Sequence, residues 1–311
     1  MRNISISTQR AGFLLALLGA LLFTSKGIVA KLLYREGVDA TTVMGLRMLL
    51  SAPVFALIAA WSWGRKPALT AQDGLKILGL GFVGYYLSSF LSFAGLQYIS
   101  AGLERLVMFL NPTVVLLMGW VWFKRRINRR QWLSMGFCYL GIVAVFWNDV
   151  HVTGDVSVIA LGTSLIFAST LTYGVYMLLS GEMVSKYGSL RLVSLAMLAS
   201  TLFTMTHYAL SRPFMELFVQ SASVWRLSAI NALFCTVFPV TLMMMAIQRL
   251  GAGPVSQMGM VGPVATVGLS YWILGEPITG LQVLGTALVI VGIVVLSRQK
   301  TNSTDNKNVE A

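Results

Sequence analysis

About ten stretches of the chain are each apolar enough, and long enough, to cross a lipid bilayer as a helix. Hydrophobic residues make up 56% of the 311 positions and charged residues only 11%. No soluble fold could bury so large an apolar fraction, and alternating strand patterns are absent. The sequence therefore predicts an all-α integral membrane protein, with spans near residues 11–33, 41–63, 75–97, 101–123, 131–148, 156–179, 189–210, 225–247, 253–274 and 280–297.

An internal repeat divides these spans into two sets of five. Residues 97–145 align with residues 248–296 without a gap, and Pro112 falls on Pro263. Because five is an odd number, the second set enters the membrane from the opposite side, which predicts an inverted repeat. The predicted units are a first repeat at 11–148, a second at 156–297, and a disordered cytoplasmic tail at 298–311.

Basic residues indicate how the chain is oriented. Most of the 23 lysines and arginines fall on the side of the N-terminus, whereas the other side holds only Lys31, Arg35, Arg212 and Arg226. This bias predicts cytoplasmic termini and a multi-pass protein of the inner membrane. The turn at 124–130 is interpreted as a topology anchor, with contact to anionic lipids as the alternative. The bias accounts for the net charge of +12, so no nucleic-acid partner is predicted.

Motifs for catalysis, metals and cofactors are missing from the sequence. Cys138 and Cys235 are isolated within spans, and His151 and His207 have no second ligand at metal spacing. The sequence has no Walker-type glycine loop, GxSxG or HExxH. We therefore predict a protein that is not an enzyme and that has neither a metal nor a cofactor.

Four charged residues lie inside predicted spans of the first half. Lys26, Arg47, Glu104 and Arg105 fall at similar depth, toward the predicted outer side, and their formal charges sum to +2. Charges within a membrane are costly and therefore indicate function. In one interpretation Glu104 pairs with a base while the others attract an anionic group, for which arginine is well suited. The alternative is a structural ion pair that locks the three spans together.

Two further residues are candidates for the same site. Asn111 lies seven residues after Glu104 and shares its helix face. Tyr173 takes the place of Lys26 when Gly174 is aligned with Gly27. A tyrosine there would contact a substrate or simply pack in the core.

Prolines at matching positions in both halves predict breaks in spans four and nine. Pro112 and Pro263 each remove a helical hydrogen bond, and freed backbone in a membrane usually lines a cavity. A packing kink is the alternative. Glu276, beside Pro277, is predicted to be a structural acid in the first turn of the last helix.

Short motifs occur in a fixed order along the chain: Gly45-Leu46-Arg47, Gly95-Leu96-Gln97-Tyr98, Asn111-Pro112, Leu274-Gly275-Glu276-Pro277-Ile278 and Gly292-Ile293. In these motifs the chain resembles the drug/metabolite transporter superfamily, in its EamA-type branch. In similar proteins an arginine at the place of Arg47 is frequent. This chain departs from the pattern with Arg125 where an acid is usual, and with Glu104 and Arg105 where small or apolar residues are common.

The resemblance implies ten helices and alternating access for small metabolites. We expect export of an amphiphilic or anionic metabolite, such as an amino acid or organic acid. Glu104 is then the candidate site for protons as the coupling ion. A nucleotide-sugar or phosphorylated-metabolite carrier, a lipid-intermediate flippase and a non-transporting partner or sensor are the alternatives. Membrane lipids are expected partners, and a homodimer is an open alternative.

Overall fold

The chain folds into membrane-length helices joined by short turns. The computed structural model describes residues 6–62, 68–124, 127–250, 255, 258–259 and 261–297, and no strand occurs in these ranges. The predicted tail at 298–311 lies outside them. The α-helices are α1 Ile6–Arg35, α2 Ala40–Ser62, α3 Ala71–Gly81, α4 Ser88–Leu96, α5 Ala101–Met108, α6 Asn111–Phe123, α7 Arg129–Thr153, α8 Val156–Tyr187, α9 Ser189–Ser211, α10 Ala222–Ala232, α11 Phe238–Leu250, α12 Val261–Leu269 and α13 Gly280–Ser297.

Eight helical runs in the described residues are long and apolar enough to cross a membrane. Two further apolar helical runs, Val261–Leu274 and Gly280–Leu296, are shorter. The all-helical class is confirmed, and the layout fits two repeats of five. The count of ten spans and the inverted orientation of the second repeat stay predictions.

Irregular helical turns recur at equivalent places in both halves. A π-helical stretch, Phe82–Leu87, joins α3 to α4, and another, Leu233–Val237, joins α10 to α11. Both begin at equivalent residues when the repeat alignment is extended. Lys124 and Gly275, also equivalent, end their spans in left-handed conformation, at φ values of 52° and 69°. A glycine adopts this conformation without strain, whereas Lys124 places a side chain there.

Contacts between the halves follow the same pattern. The most extensive pairings are α7 with α13, α1 with α11, α2 with α9, and α4 with α8. Exchanging the halves converts the α1–α11 contact into the α8–α4 contact and leaves the other two unchanged. The two repeats are therefore interleaved through equivalent interfaces.

Glycines allow the closest of these pairings. A Cβ atom on Gly141 of α7 would lie 2.5 Å from the Gly285 carbonyl oxygen of α13. A Cβ on Gly292 would lie 2.5 Å from the Cys138 sulfur. Small residues let two membrane helices approach backbone to backbone. The last helix of the first repeat, α7, therefore packs tightly against the last helix of the second, α13.

The fourth span is broken, although its sequence runs apolar from 101 to 123. Helix α5 ends at Met108 and α6 begins at Asn111. The Phe109 amide still donates to the Arg105 carbonyl, but the Leu110 amide donates to the nearer Val107 carbonyl. The break precedes Pro112, whose ring disfavours helical conformation in the residue before it.

Candidate functional site

Helices α1, α2 and α5 bring the predicted charged residues together inside the protein. Lys26, Arg47, Glu104 and Arg105, hereafter the charged cluster, are 8%, 4%, 3% and 8% exposed. None of them belongs to an ion pair among the described residues. Sequence analysis predicted their common depth, and the structure adds how each is held.

Ser92 on α4 connects the acid of the cluster to one of its bases. The Lys26 Nζ atom donates to the Ser92 Oγ atom at 3.3 Å, and that hydroxyl donates to Glu104 Oε1 at 3.1 Å. A Cβ atom on Gly27 would come within 3.3 Å of Glu104 Oε2, so glycine leaves room for the carboxylate. A hydroxyl group therefore links the acid to the base, in place of a direct ion pair.

The aromatic ring of Phe93 lies against two of the positive charges. Lys26 Nζ lies 4.9 Å from the ring centroid, and Arg47 Cζ lies 5.0 Å from it. Such cation–π contacts stabilise a cation without neutralising it. Phe93 is held in turn by the Tyr34 hydroxyl, which donates to its carbonyl oxygen at 2.7 Å. The positive charge around this ring is therefore only partly offset.

Arg47 is the least satisfied member of the charged cluster. Its Nη1 atom donates to Thr236 Oγ1 at the long distance of 3.5 Å. Its Nε and Nη2 atoms are buried and have no hydrogen-bond partner in the part of the chain that the structure describes. Buried polar groups are nearly always hydrogen-bonded, so this side of the guanidinium is suited to a ligand.

Arg105 is a member of the charged cluster that contacts the second half of the chain. Its Nη2 atom donates to Thr24 Oγ1 at 3.2 Å, and its guanidinium carbon lies 5.4 Å from the ring centroid of Phe23 and 5.2 Å from that of Phe109. A Cβ atom on Gly262 would be 2.7 Å from Arg105 Nη2. Gly262 precedes Pro263 near the start of α12, and because glycine has no side chain it leaves the space that Arg105 occupies.

Tyr173 belongs to a different group of side chains. It packs against Tyr85 and Tyr176, with ring centroids 6.5 and 5.5 Å away, and the latter two hydroxyls are 3.2 Å apart. We call Tyr85, Tyr173 and Tyr176 the tyrosine cluster. No described hydrogen bond or ring contact joins Tyr173 to the charged cluster, and its role in substrate binding stays a prediction.

The remaining candidates lie near the starts of α6 and α12. The Asn111 Oδ1 atom is buried and unpartnered within the described residues, but no described hydrogen bond joins Asn111 to the charged cluster. Pro112 is exposed at the bundle surface, whereas Pro263 is buried. Of the two prolines, only Pro263 adjoins the charged cluster, through Gly262.

Acidic side chains hold the predicted outer end of α5. Asp149 accepts from the Ser100 amide at 2.8 Å and from its hydroxyl at 3.0 Å. Glu276 accepts from the Ala101 amide at 3.4 Å and pairs with Lys31 at 3.4 Å. Glu276 lies ahead of α13, which begins at Gly280, rather than in its first turn as predicted. The acid interacts with the dipole of α5 and not with that of the last helix.

Sequence reasoning missed three residues that shape the site. Ser92 and Phe93 lie in an apolar span, where nothing distinguishes them from packing residues. Thr236 is placed by the π-helical stretch at 233–237, because its hydroxyl donates to the Asn231 carbonyl five residues earlier. Within the described residues, no group of His, Cys, Asp and Glu side chains could hold a metal ion.

Both halves of the chain match the same family of known proteins. The family model described as EamA-like transporter family matches residues 10–147 and 160–298. The chain belongs to the EamA-like transporter family. It is a multi-pass membrane protein, and the family model matches it twice along the chain.

Relatives and a solved structure extend the match over nearly the whole chain. The uncharacterized transporter YcbK of Bacillus subtilis is 27% identical over 301 residues, which is 95% of each chain. The uncharacterized inner membrane transporter YicL of Salmonella typhimurium is 21% identical over 298 residues, covering 94% of this chain and 97% of its own. A crystal structure matches with a TM-score of 0.62 at 15% identity, over 92% of this chain and 96% of that one, which shows the fold alone.

Proposed function

We propose that the protein is a secondary transporter that exports a small anionic or amphiphilic metabolite, such as an organic acid or amino acid, across the inner membrane. The observation that carries the proposal is the buried Arg47 guanidinium, with two nitrogens unpartnered among the described residues. Arginine presents a planar fork that matches a carboxylate or phosphate. Lys26, which also lies against the Phe93 ring, supplies a second charge for the same group.

The charge balance of the cluster supports an anionic ligand. Three bases and one acid are buried together, and burial of uncompensated charge is expensive in a membrane protein. A bound anion offsets part of this excess and completes the hydrogen bonds of Arg47. Glu104, linked to Lys26 through Ser92, is the group that we assign to charge balance and to proton coupling.

Alternating access is supported by the matched contacts between halves. The charged cluster is buried, so a substrate reaches it only after helices separate. The α1–α11 and α4–α8 interfaces are equivalent under exchange of the repeats. In transporters built from inverted repeats, loosening one such interface and tightening its counterpart exposes the site to the opposite side.

The export proposal is tested by metabolite pools. We would compare internal and external pools in cells that overproduce the wild type, Arg47→Ala, Arg47→Lys, or the exposed control Arg226→Ala. We expect one class of anionic metabolite to move outward with the wild type and with Arg226→Ala. Arg47→Ala should abolish this movement, and Arg47→Lys should restore it only in part because lysine lacks the fork.

Each contrary result has a definite meaning. Equal shifts with the wild type and with Arg47→Ala would show that Arg47 is structural. Accumulation inside the cell would reverse the direction that we propose. No shift with the wild type would contradict metabolite export, and labelled lipid intermediates in vesicles would then test a flippase.

A further inference from the structure

The second half of the chain contributes a polar wall beside the charged cluster. Asn231 and Ser228, both on α10, are fully buried at 0% exposure. The two residues are three positions apart and therefore share a helix face. Helix α10 packs against α2 and α1, which carry Arg47 and Lys26.

A single residue, Thr236, connects this wall to Arg47 by hydrogen bonds. The Thr236 hydroxyl accepts from Arg47 and donates to the Asn231 carbonyl oxygen at 3.0 Å. Thr236 takes this position because the helix widens to π geometry at Leu233–Val237. Such π-helical insertions frequently mark functional sites.

The side chains of the wall have no hydrogen-bond partners in the part of the chain that the structure describes. Both Asn231 atoms, Oδ1 and Nδ2, and the Ser228 hydroxyl are buried and unpartnered. A buried polar group without a partner is unfavourable, and an apolar residue of similar shape would be better for stability alone. Packing therefore gives no reason for an asparagine here, whereas a ligand that contacts it does.

We propose that Asn231 and Ser228 select the substrate, and that the transported anion is a carboxylate that also carries a hydroxyl group. This inference rests on the proposed function, in which Arg47 binds the carboxylate. A carboxamide offers one acceptor and a donor group, and a single hydroxyl on the substrate can satisfy both. An ammonium group only donates and would leave Asn231 Nδ2 unpartnered.

The test uses matched acids that differ by hydroxyl groups. Full-length protein in vesicles is assayed with three pairs: propionate and lactate, succinate and malate, hexanoate and gluconate. We expect the wild type to prefer the hydroxylated member of at least one pair by about tenfold or more, because a site built for a hydroxyl rejects the analogue without it. Asn231→Leu should bring the two rates close together, and Ser228→Ala should lower the preference more mildly.

Stability separates substrate selection from a structural role. Asn231→Leu removes two unpartnered groups, so its melting temperature without ligand should equal or exceed that of the wild type. Asn148→Leu is the matched control, because Asn148 is also buried but accepts a hydrogen bond from Thr279. It should melt lower and keep the preference for hydroxylated acids.

The outcomes distinguish the two proposals. Transport of both members of each pair at equal rates, or an unchanged preference in Asn231→Leu and Ser228→Ala, would overturn the selective wall and leave anion transport standing. Alanine is assayed beside lactate, and a preference for alanine would also overturn the selective wall, since an ammonium group would point to Glu104. Transport of none of these acids would overturn this inference, whereas the proposed function fails only if the metabolite pools also show no export of an anionic or amphiphilic metabolite.

Discussion

The charged cluster and the tyrosine cluster are partly equivalent under exchange of the two repeats, yet their chemistry differs. Tyr85 falls on Thr236 when the repeat alignment is extended, and Tyr173 matches Lys26 when Gly174 is aligned with Gly27. The charged cluster keeps buried guanidinium nitrogens without partners among the described residues, whereas the hydroxyls of Tyr85 and Tyr176 contact each other. The same scaffold therefore supports one region suited to a ligand and another suited to packing.

Packing is also more rigid around the tyrosine cluster than around the charged cluster. A Cβ atom on Gly84 would lie 2.4 Å from the Tyr176 ring, so the π-helical stretch meets a rigid side chain there. Beside the charged cluster, a Cβ atom on Gly262 or Gly27 would instead approach the end of a flexible side chain, that of Arg105 or Glu104 respectively. Rigid packing stabilises a bundle, while flexible charged groups can rearrange around a substrate.

The largest effect is expected from loss of the one acid in the charged cluster. Glu104→Leu leaves three buried bases without a carboxylate, which should lower the unfolding free energy by about 3–5 kcal/mol. Thermal or denaturant unfolding in detergent measures it, with Glu182→Leu, an exposed acid, as the control. If Glu104→Leu unfolds like the wild type, the bases do not depend on the acid, and the contrast between the clusters is weaker than we state.

A smaller loss is expected from Gly84→Ala beside the tyrosine cluster. The added methyl group would overlap the Tyr176 ring and should cost about 1–3 kcal/mol. Gly262→Ala should cost less, because Arg105 can move its guanidinium away, but it should slow transport. Gly79→Ala, where no atom lies within 4 Å of the new Cβ, is the neutral control. Equal melting temperatures for Gly84→Ala and Gly79→Ala would contradict rigid packing.

Removal of single hydroxyls tests whether the tyrosine cluster is only structural. Tyr176→Phe loses the contact with Tyr85 and should cost about 0.5–1.5 kcal/mol with little effect on transport. Tyr173→Phe should change neither property, since no described hydrogen bond involves its hydroxyl. Loss of transport in Tyr173→Phe at unchanged stability would instead support its predicted contact with substrate.

The smallest effect is expected at the partly exposed pair of Lys31 and Glu276. Their side chains are 23% and 18% exposed, and exposed ion pairs contribute less than about 1 kcal/mol. Lys31→Gln, Glu276→Gln and the double variant form a cycle that isolates the pair. The coupling should shrink further at high salt. A coupling as large as the effect of Glu104→Leu would mean that burial does not distinguish the charged cluster.

The sequence alone predicted the class of fold, the repeat, and the burial of Lys26, Arg47, Glu104 and Arg105 in one region. These follow from composition, from periodic apolar runs and from the cost of charge in a membrane, which are properties of local sequence. Pro112 likewise indicated the break in the fourth span, because proline acts on its own neighbours.

Only the tertiary structure decided which side chains meet. It placed Ser92 between Lys26 and Glu104, and Thr236 between Arg47 and Asn231, whereas Tyr173 went to a separate cluster. Such contacts join residues from distant helices, and their geometry depends on how the interleaved halves pack and on where a π-helical stretch turns a helix face. Local sequence does not determine this packing, because the apolar faces of different helices are alike and do not specify which helix each will contact.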